Sequence, residues 1–591
     1  MFKKEIEIVD QRIRAICQDN QIEIQAPISW SQIPFSGEWG LATSFFQIAA
    51  DEARAKKQKV NVPARAAELA ELVADEIGKL EGFSRVEAVK GYLNLYFSAP
   101  EFSTRVLNDV IAKGSDYGRG EDKGLRYMVE FSQPNTHKAF HVGHLRNLIL
   151  GDALARIIAF SGVEVIRTNY IGDFGKDVFK WIWNFRKRHE GESRPEKDVT
   201  RWMGDLYAEA TKALENDAEG EQEIRDLLLR WEAEDDEIQE QWRITRQWSL
   251  DGFKEIYDMM GVDFDRIYYE SEVEGPGKKM VQRLIDEGIA IDERAEGGPV
   301  IVKVDEQLGL ENETYRVLVL LRSDGSSLYG AWDLALTLLK FEEFDLDKSV
   351  YVVDVRQSLH FKQVFKTLEI AGYGDQIEKV FHLPYEIVNL PGNLTLSSRE
   401  GVVVLLEDFV REANQRSEEV VRAKNPDIEP ELRREVAEAV GLGSIKFPML
   451  ARDNAKIATF DWESALDLNG QAAPYIQYAH VRANSILRKF GDKLPALQPP
   501  THELNSSEIQ LIDMLAQFGP SVQRAAQEFK TLHITNYAFN LAKAFNEFYN
   551  QSQVIKEEAV IRDFRLNLVE GARITLANAL AVLGIQAPSI M

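Results

Sequence analysis

The sequence predicts a multidomain α/β chain with a doubly wound parallel sheet in the middle, a small α+β domain before it and an all-α bundle after it. Three observations carry the prediction. Between residues 127 and 169 a strand, a loop, a helix and a second strand follow one another, which is a βαβ unit. A second αβ half runs over 317–383, with strands at 317–321 and 350–355. From residue 428 to the end there is no convincing strand, and the apolar spacing is helical. At 591 residues the chain is too long for one hydrophobic core.

Taken in order, residues 1–122 form the first domain. It has helical patterning over 64–80 and then the strand-like run Gly91-Tyr92-Leu93-Asn94-Leu95-Tyr96-Phe97. Residues 114–124 carry four glycines among charges and read as a linker. The central domain spans 123–427. Tyr127-Met128-Val129-Glu130-Phe131 is its first strand, 144–160 its first helix, and 163–169 its second strand, after a stop at Ser161-Gly162. Residues 181–260 are Trp- and Glu-rich and helical, consistent with insertions over about 181–315. The bundle occupies 428–591 and is interrupted by a linker at 491–504 that holds Pro495, Pro499 and Pro500.

Composition narrows the function classes. The chain is 45% hydrophobic and 28% charged, ordinary for a globular protein. No apolar run approaches the ~20 residues of a membrane span. The opening Met1-Phe2-Lys3-Lys4-Glu5 continues into mixed charge, unlike a secretory or transit segment. The single cysteine, Cys17, precludes an intramolecular disulfide or a Cys-cluster zinc site, and a reducing cytoplasm is the expectation. Taken alone, the net charge of −25 argues against a nucleic-acid binder, which normally needs a basic face, and no DNA partner is expected. Acids crowd 215–240 and 418–438, whereas 441–493 is balanced, with Lys446, Arg452, Lys456, Arg482, Arg488, Lys489 and Lys493. An RNA partner can be met there while acidic surfaces elsewhere repel wrong contacts. A monomer is expected.

The most informative segment is Ser132-Gln133-Pro134-Asn135-Thr136-His137-Lys138-Ala139-Phe140-His141-Val142-Gly143-His144-Leu145-Arg146, between the first strand and first helix. Open α/β sheets bind nucleotides at that point. A helix N-terminus there is expected to offer free N–H groups and a positive dipole to phosphate. The imidazoles of His141 and His144 can donate to phosphate oxygens, and Gly143 between them lets a flat base approach the backbone. Three of nine histidines within eight residues argue against scattered surface histidines. A zinc site on His137, His141 and His144 is a rival, but the segment lacks a His-Glu-x-x-His pattern and Asn135-Thr136 suggests a turn.

His141-Val142-Gly143-His144 resembles the HIGH motif of class I aminoacyl-tRNA synthetases. The wider run from Val129 through Arg146, with Gly151-Asp152-Ala153-Leu154-Ala155-Arg156 and Val165 through Gly175, resembles arginyl-tRNA synthetases in particular; Gln133 stands where that family usually has Ser. The resemblance covers essentially the whole chain. It implies a Rossmann-type catalytic domain that uses ATP with Mg2+, L-arginine and tRNA(Arg), with no zinc. His141 and His144 would stabilise charge on the ATP α-phosphate. A donor aimed at developing charge is worth ~3 kcal/mol, so either alanine substitution should cost on the order of a hundredfold in rate.

Ser323-Asp324-Gly325-Ser326-Ser327-Leu328-Tyr329-Gly330-Ala331-Trp332-Asp333 reads as a turn into a helix, with Tyr329 and Asp333 on one face. On the residues alone an ordinary capped helix with an exposed Asp is the better reading. The resemblance makes it the guanidinium-recognising element, because a carboxylate takes a planar guanidinium through two parallel hydrogen bonds. Asn135, His144, Tyr329, Asp333 and Gln357 match the family's arginine-contacting positions, with Glu130 and Glu270 as further carboxylates.

One stretch departs from the family. Where the second ATP loop usually carries lysines, this chain has Thr395-Leu396-Ser397-Ser398-Arg399-Glu400-Gly401. Thr395 and Glu400 replace the lysines, and Ser398 and Arg399 remain to face ATP. Lys138 resembles a lysine that some family members use in compensation. The alternative is a catalytically impaired, synthetase-like tRNA-binding protein. Toward the C-terminus, Tyr475, Tyr478 and Arg482 share a helical face suited to stacking on unpaired bases. The resemblance makes Tyr475, Gln477, Tyr478 and Arg482 the start of an anticodon-binding domain and places Asp467 in a tRNA-facing loop. It also implies that Asn94 and Phe97 touch the tRNA elbow; on the residues alone Phe97 is strand core and Asn94 a turn partner.

Overall fold

In the computed structural model, residues 3–24, 27–33, 38–55, 60–390, 394–395, 404–491 and 493–591 are described. Ser398 and Arg399 lie outside them, and Thr395 enters only through its backbone. The chain divides into two compact units. The first takes 1–117, 479–518 and 540–578, and the second 118–478, 519–539 and 579–591.

The first unit holds strands β1 (Trp30–Gln32), β2 (Gly40–Ser44), β3 (Phe83–Val89) and β4 (Tyr92–Phe97), ordered β1-β2-β4-β3 and antiparallel throughout. Lys90 and Gly91, both at positive φ (51° and 87°), close the β3–β4 hairpin with the two-residue turn that matches strand twist. Alternation along β4 sends Leu93 and Leu95 into a core with Leu69, Ala70 and Val73 of the helix Val62–Glu76. That helix starts where Asn61 accepts the Ala64 N–H, with Pro63 in its first turn.

The second unit contains, in chain order, β5 (Arg126–Glu130), β6 (Glu164–Ile171), β7 (Arg266–Tyr269), β8 (Ile291–Asp292), β9 (Val300–Lys303), β10 (Val317–Leu321), β11 (Lys348–Asp354) and β12 (Val380–Tyr385). Its main sheet is ordered β12-β11-β5-β6-β7 and is parallel at every pairing. The helix Leu145–Phe160 joins β5 to β6 and is buried almost all round. Strand order reverses between β5 and β11, so a crevice opens at their carboxyl ends.

Two strands differ from the sequence reading. β10 pairs antiparallel with β9, and β9 with β8, in a separate small sheet. Its burial alternates, as suits a sheet with one wet face, whereas β11 is buried along nearly its whole length, as a central parallel strand requires. β7, inside the span read as insertion, is the edge strand of the main sheet. Between β6 and β7 the helices Lys176–Arg188, Val199–Ala213, Ala218–Glu232 and Asp236–Met260 pack around Phe179, Trp181, Ile182 and Met203. Beyond residue 428 the elements are helices, apart from Ala458–Thr459, which pairs with Val388–Leu390.

Candidate active site

The chain leaves β5 at Glu130 and turns through a loop in which Ser132, Gln133 and His137 all have positive φ (81°, 51° and 62°). Such backbone costs of order 1–3 kcal/mol per residue and persists only where neighbours over-determine it. Here Asn147 Oδ1 accepts the Ser132 N–H (2.8 Å), Asn169 Oδ1 the Gln133 N–H (2.9 Å) and Ser249 Oγ the His137 N–H (2.8 Å). The Tyr257 hydroxyl binds Ser132 Oγ and Asn169 Nδ2, each at 2.9 Å. The loop is thereby stitched to β6, to the helix Leu145–Phe160 and to the helix Asp236–Met260.

The three clustered histidines part company. His137 is fully buried, its Nδ1 against Thr136 Oγ1 (3.0 Å) and its Nε2 against Thr245 Oγ1 (2.9 Å), with burial lowering its pKa to about 3. Both ring nitrogens are occupied, so it is a core histidine. His141 and His144 stack with ring centroids 4.1 Å apart. His141 Nδ1 accepts the Gly143 N–H (3.0 Å), which puts the proton of the neutral ring on Nε2 and leaves it free to donate. Burial first, and then Lys138, lower the His141 pKa. Burial and His141 bring His144 to about 3. Both rings are neutral at pH 7.

The helix start differs from expectation. The N–H groups of Val142, Gly143, His144 and Leu145 are taken by Val404 O, His141 Nδ1, His141 O and Val142 O. The 3₁₀ turn Val142–His144 consumes donors that a bare helix end would offer. The imidazoles, rather than these amides, remain to meet an anion.

A cavity of about 350 Å³ opens at the switch point. Asn135, His141, Gly143 and His144 line it from the β5 side, and Asp354, Arg356 and Gln357 from the end of β11. Arg356 is held to Asp354 by two hydrogen bonds (2.8 and 2.9 Å) with its side chain largely exposed. Lys138 lies outside this lining: it pairs with Asp177 (2.6 Å), which also accepts from Tyr207 (3.0 Å).

Carboxylates gather beyond Asn135. Gly172 pairs with Asn135, and a Cβ at Gly172 would lie 2.1 Å from Asn135 Oδ1 and 3.2 Å from Glu270 Oε1, so any larger residue would displace the Asn135 side chain. Glu270 is buried at the start of the helix Glu270–Asp286, whose Ser271 N–H and hydroxyl are taken by Asp173 (2.9 and 2.7 Å). Burial, and then Asp173 and Asp333, hold the Glu270 carboxyl well above the usual range. Tyr329 opens the helix Tyr329–Glu343 with Asp333 one turn later. Tyr329 is 59% exposed, and burial of its phenol together with Glu270, Asp177 and Asp333 pushes the pKa to about 12. Asp333 Oδ2 contacts His360 Nε2. The buried Tyr170 hydroxyl, which Asp333, Glu270 and Glu130 all influence, has no hydrogen-bond partner among the described residues. Glu130 stands apart: its carboxylate is 2.5 Å from the Lys340 ammonium, with both side chains buried.

A family model described as "tRNA synthetases class I (R), catalytic domain" matches residues 106–462, and "DALR anticodon binding domain" matches 476–591. The chain belongs to the class I arginyl-tRNA synthetases. It is 37% identical to the arginine–tRNA ligase of Bdellovibrio bacteriovorus, with 85% of this chain and 86% of that protein covered. To the arginine–tRNA ligase of Clostridium perfringens it is 35% identical, over 87% and 89%. Among solved structures, Thermus thermophilus arginyl-tRNA synthetase superposes with a TM-score of 0.77 at 26% identity, covering both chains fully.

Within this arginyl-tRNA synthetase fold the RNA-facing candidates separate. Gln477 is fully buried and donates to Ala439 O (3.0 Å) and Gln586 O (2.8 Å), so it holds the bundle together. Tyr475 packs on Phe539 (5.3 Å), Tyr478 lies near Lys424, and Arg482 donates to Asn546 (2.7 Å) beside Tyr549. Asp467 caps its own loop at the Asn469 N–H (2.8 Å). Phe97 is buried on Phe83 and Phe102, whereas Asn94 sits half-buried on the opposite face of β4. Sequence reasoning missed Tyr170, Lys340, Arg356 and His360. Arg356 and His360 flank Gln357 in one short stretch, a signal that could have been followed; Lys340 carried none.

Proposed function

We propose that this chain is an arginine–tRNA ligase. Arginine's carboxylate oxygen attacks the α-phosphorus of ATP, which enters with magnesium, and pyrophosphate leaves. The terminal ribose hydroxyl of tRNA(Arg) then attacks the carbonyl of arginyl-adenylate, loses its proton and releases AMP. His141 and His144 donate to the α-phosphate, and Asn135 and Gln357 hold the amino acid's backbone. Tyr329, Asp333 and Glu270 take the guanidinium. The observation that carries this reading is Glu270, a buried carboxylate that makes no ion pair among the described residues although its neighbour Asp173 is held by Arg246 (2.6 Å), and that is joined through Asn135 to the histidine-lined cavity. A site built on buried polar groups rejects lysine, whose point charge leaves hydrogen bonds unmade. Positioning and electrostatics supply the catalysis, with no covalent enzyme intermediate. In this reading 1–122 contacts tRNA, 123–427 is catalytic and 428–591 binds the anticodon, in a cytoplasmic monomer.

The test is arginine-dependent ATP–pyrophosphate exchange, with and without tRNA(Arg), in the wild type and in Lys138→Ala and Arg356→Ala. Exchange that needs tRNA and prefers arginine to lysine is expected. Collapse in one variant identifies the cation that stands in for the lysines missing at Thr395 and Glu400. A folded protein that binds tRNA without exchange would instead be a tRNA-binding relative that has lost activation, the reading those two replacements favour.

A further inference from the structure

Asp333 is offered above as a guanidinium acceptor, yet one of its oxygens, Oδ2, already meets His360 Nε2. His360 stands on the first turn of the helix Ser358–Ile370, three residues after Gln357, and Asp333 stands one turn into the helix Tyr329–Glu343. The two side chains are 25% and 15% exposed, so water screens their contact only partly. Among the described residues the charged partner of His360 is Asp333. Asp333 is faced in turn by Glu270 from the helix Glu270–Asp286, by the Tyr170 phenol from β6 and by Tyr329 from its own helix.

We propose that His360 is a positioning residue whose proton competes with the arginine guanidinium for Asp333, so that binding arginine expels that proton. The inference rests on the arginine reading above. A neutral imidazole donates one N–H to Oδ2, fixes the carboxylate rotamer and leaves Oδ1 and the remaining lone pairs for the guanidinium fork. A protonated imidazole makes the same contact but neutralises Asp333, and the incoming guanidinium then meets a second cation at the same carboxylate. Burial acts to lower the His360 pKa, but the hydrogen bond and charge of Asp333 outweigh it and raise it, so Asp333 holds the imidazole proton to higher pH than a free histidine would, and a ligand that occupies Asp333 removes that hold. Each proton expelled on binding weakens apparent affinity by about tenfold per pH unit below the group's pKa.

The test is calorimetric titration of L-arginine into the full chain from pH 5.5 to 8.5, in two buffers of different ionisation enthalpy, for the wild type and His360→Gln. Glutamine keeps a donor to Asp333 and cannot titrate. Glu270 can also exchange protons on binding, so the decisive quantity is the difference between the two proteins. The expected result is similar affinity at pH 8.5, a wild-type affinity that falls about tenfold further toward pH 5.5, and up to one more proton released by the wild type. Equal pH slopes and equal proton release would overturn the proposal. So would a loss of affinity in His360→Gln by the same factor at every pH, which a merely structural role predicts. Failure of both proteins to bind L-arginine at any pH would overturn the arginine assignment, and this inference with it.

Discussion

Replacing Lys340 with methionine tests what holds the switch point together. Lys340 is buried on the helix Tyr329–Glu343 with its ammonium 2.5 Å from Glu130 and 3.8 Å from the Tyr351 ring centroid. Tyr351 and Glu130 are register partners on β11 and β5, the two strands between which the sheet order reverses. Lys340→Met keeps the apolar stem and strips Glu130 of its counter-charge in a site where its carboxylate is 2% exposed. Removing one partner of a buried pair costs about 3–5 kcal/mol, whereas removing both is often close to neutral. Lys340→Met should therefore be destabilised by that amount, and Lys340→Met with Glu130→Gln should recover most of it. The amide the double variant introduces can still meet Gln133, whose Nε2 lies 3.0 Å from Glu130 Oε1. Because a chain of several domains does not unfold in two states, the readout is amide hydrogen exchange within β5 and β11. A loss of about 3–5 kcal/mol speeds exchange there by roughly two to four powers of ten. If the single and double variants exchange alike, Glu130 is not relying on Lys340, and the account of this pair as the support of the switch point fails.

His144→Ala should lower the rate of arginine-dependent pyrophosphate exchange about a hundredfold at saturating ATP; a change under threefold would remove the ring from the phosphate site. Glu270→Gln should weaken arginine binding. It should also change how stability depends on pH. Because the folded-state pKa of Glu270 is raised above its unfolded value, its contribution is fully present below the unfolded pKa and is lost as pH rises through the folded one. Denaturation at pH 5 and pH 8 without ligand should then show Glu270→Gln relatively more stable at the higher pH, and an unchanged difference would contradict the burial argument. Arg146 donates to the carbonyls of Glu386, Ile387, Asp453 and Lys456, and burial brings its pKa to about 10. Arg146→Met should strand these carbonyls at a cost of about 1–3 kcal/mol and speed limited proteolysis near residues 453–456; unchanged cleavage would mean they find other donors.

Much of this protein is written locally. The βαβ unit, the turn that carries the histidines and the pairing of Tyr329 with Asp333 on one helix face depend on residues a few positions apart, where periodicity and turn chemistry decide the outcome. The motif run from Val129 to Gly175 likewise points to the family through residues close in sequence. What tertiary structure decided is which partner each element meets. β10 has the apolar content of a core strand, yet it joins β9 and β8 because its alternate residues face water, and sequence encodes a face without naming the strand beside it. His137 and His141 look alike in sequence; one is sealed by Thr136 and Thr245 and the other opens on the cavity, because Thr245 arrives from a helix over a hundred residues away. The resemblance turns Gln477 toward tRNA, yet it lies in a core for the same reason, and Phe97 is buried as the residues alone predict. Lys340 has no local signature, and that of His360 is no more than its closeness to Gln357, since a buried lysine or a histidine against an aspartate acquires meaning only when folding removes water and sets the opposing charge beside it.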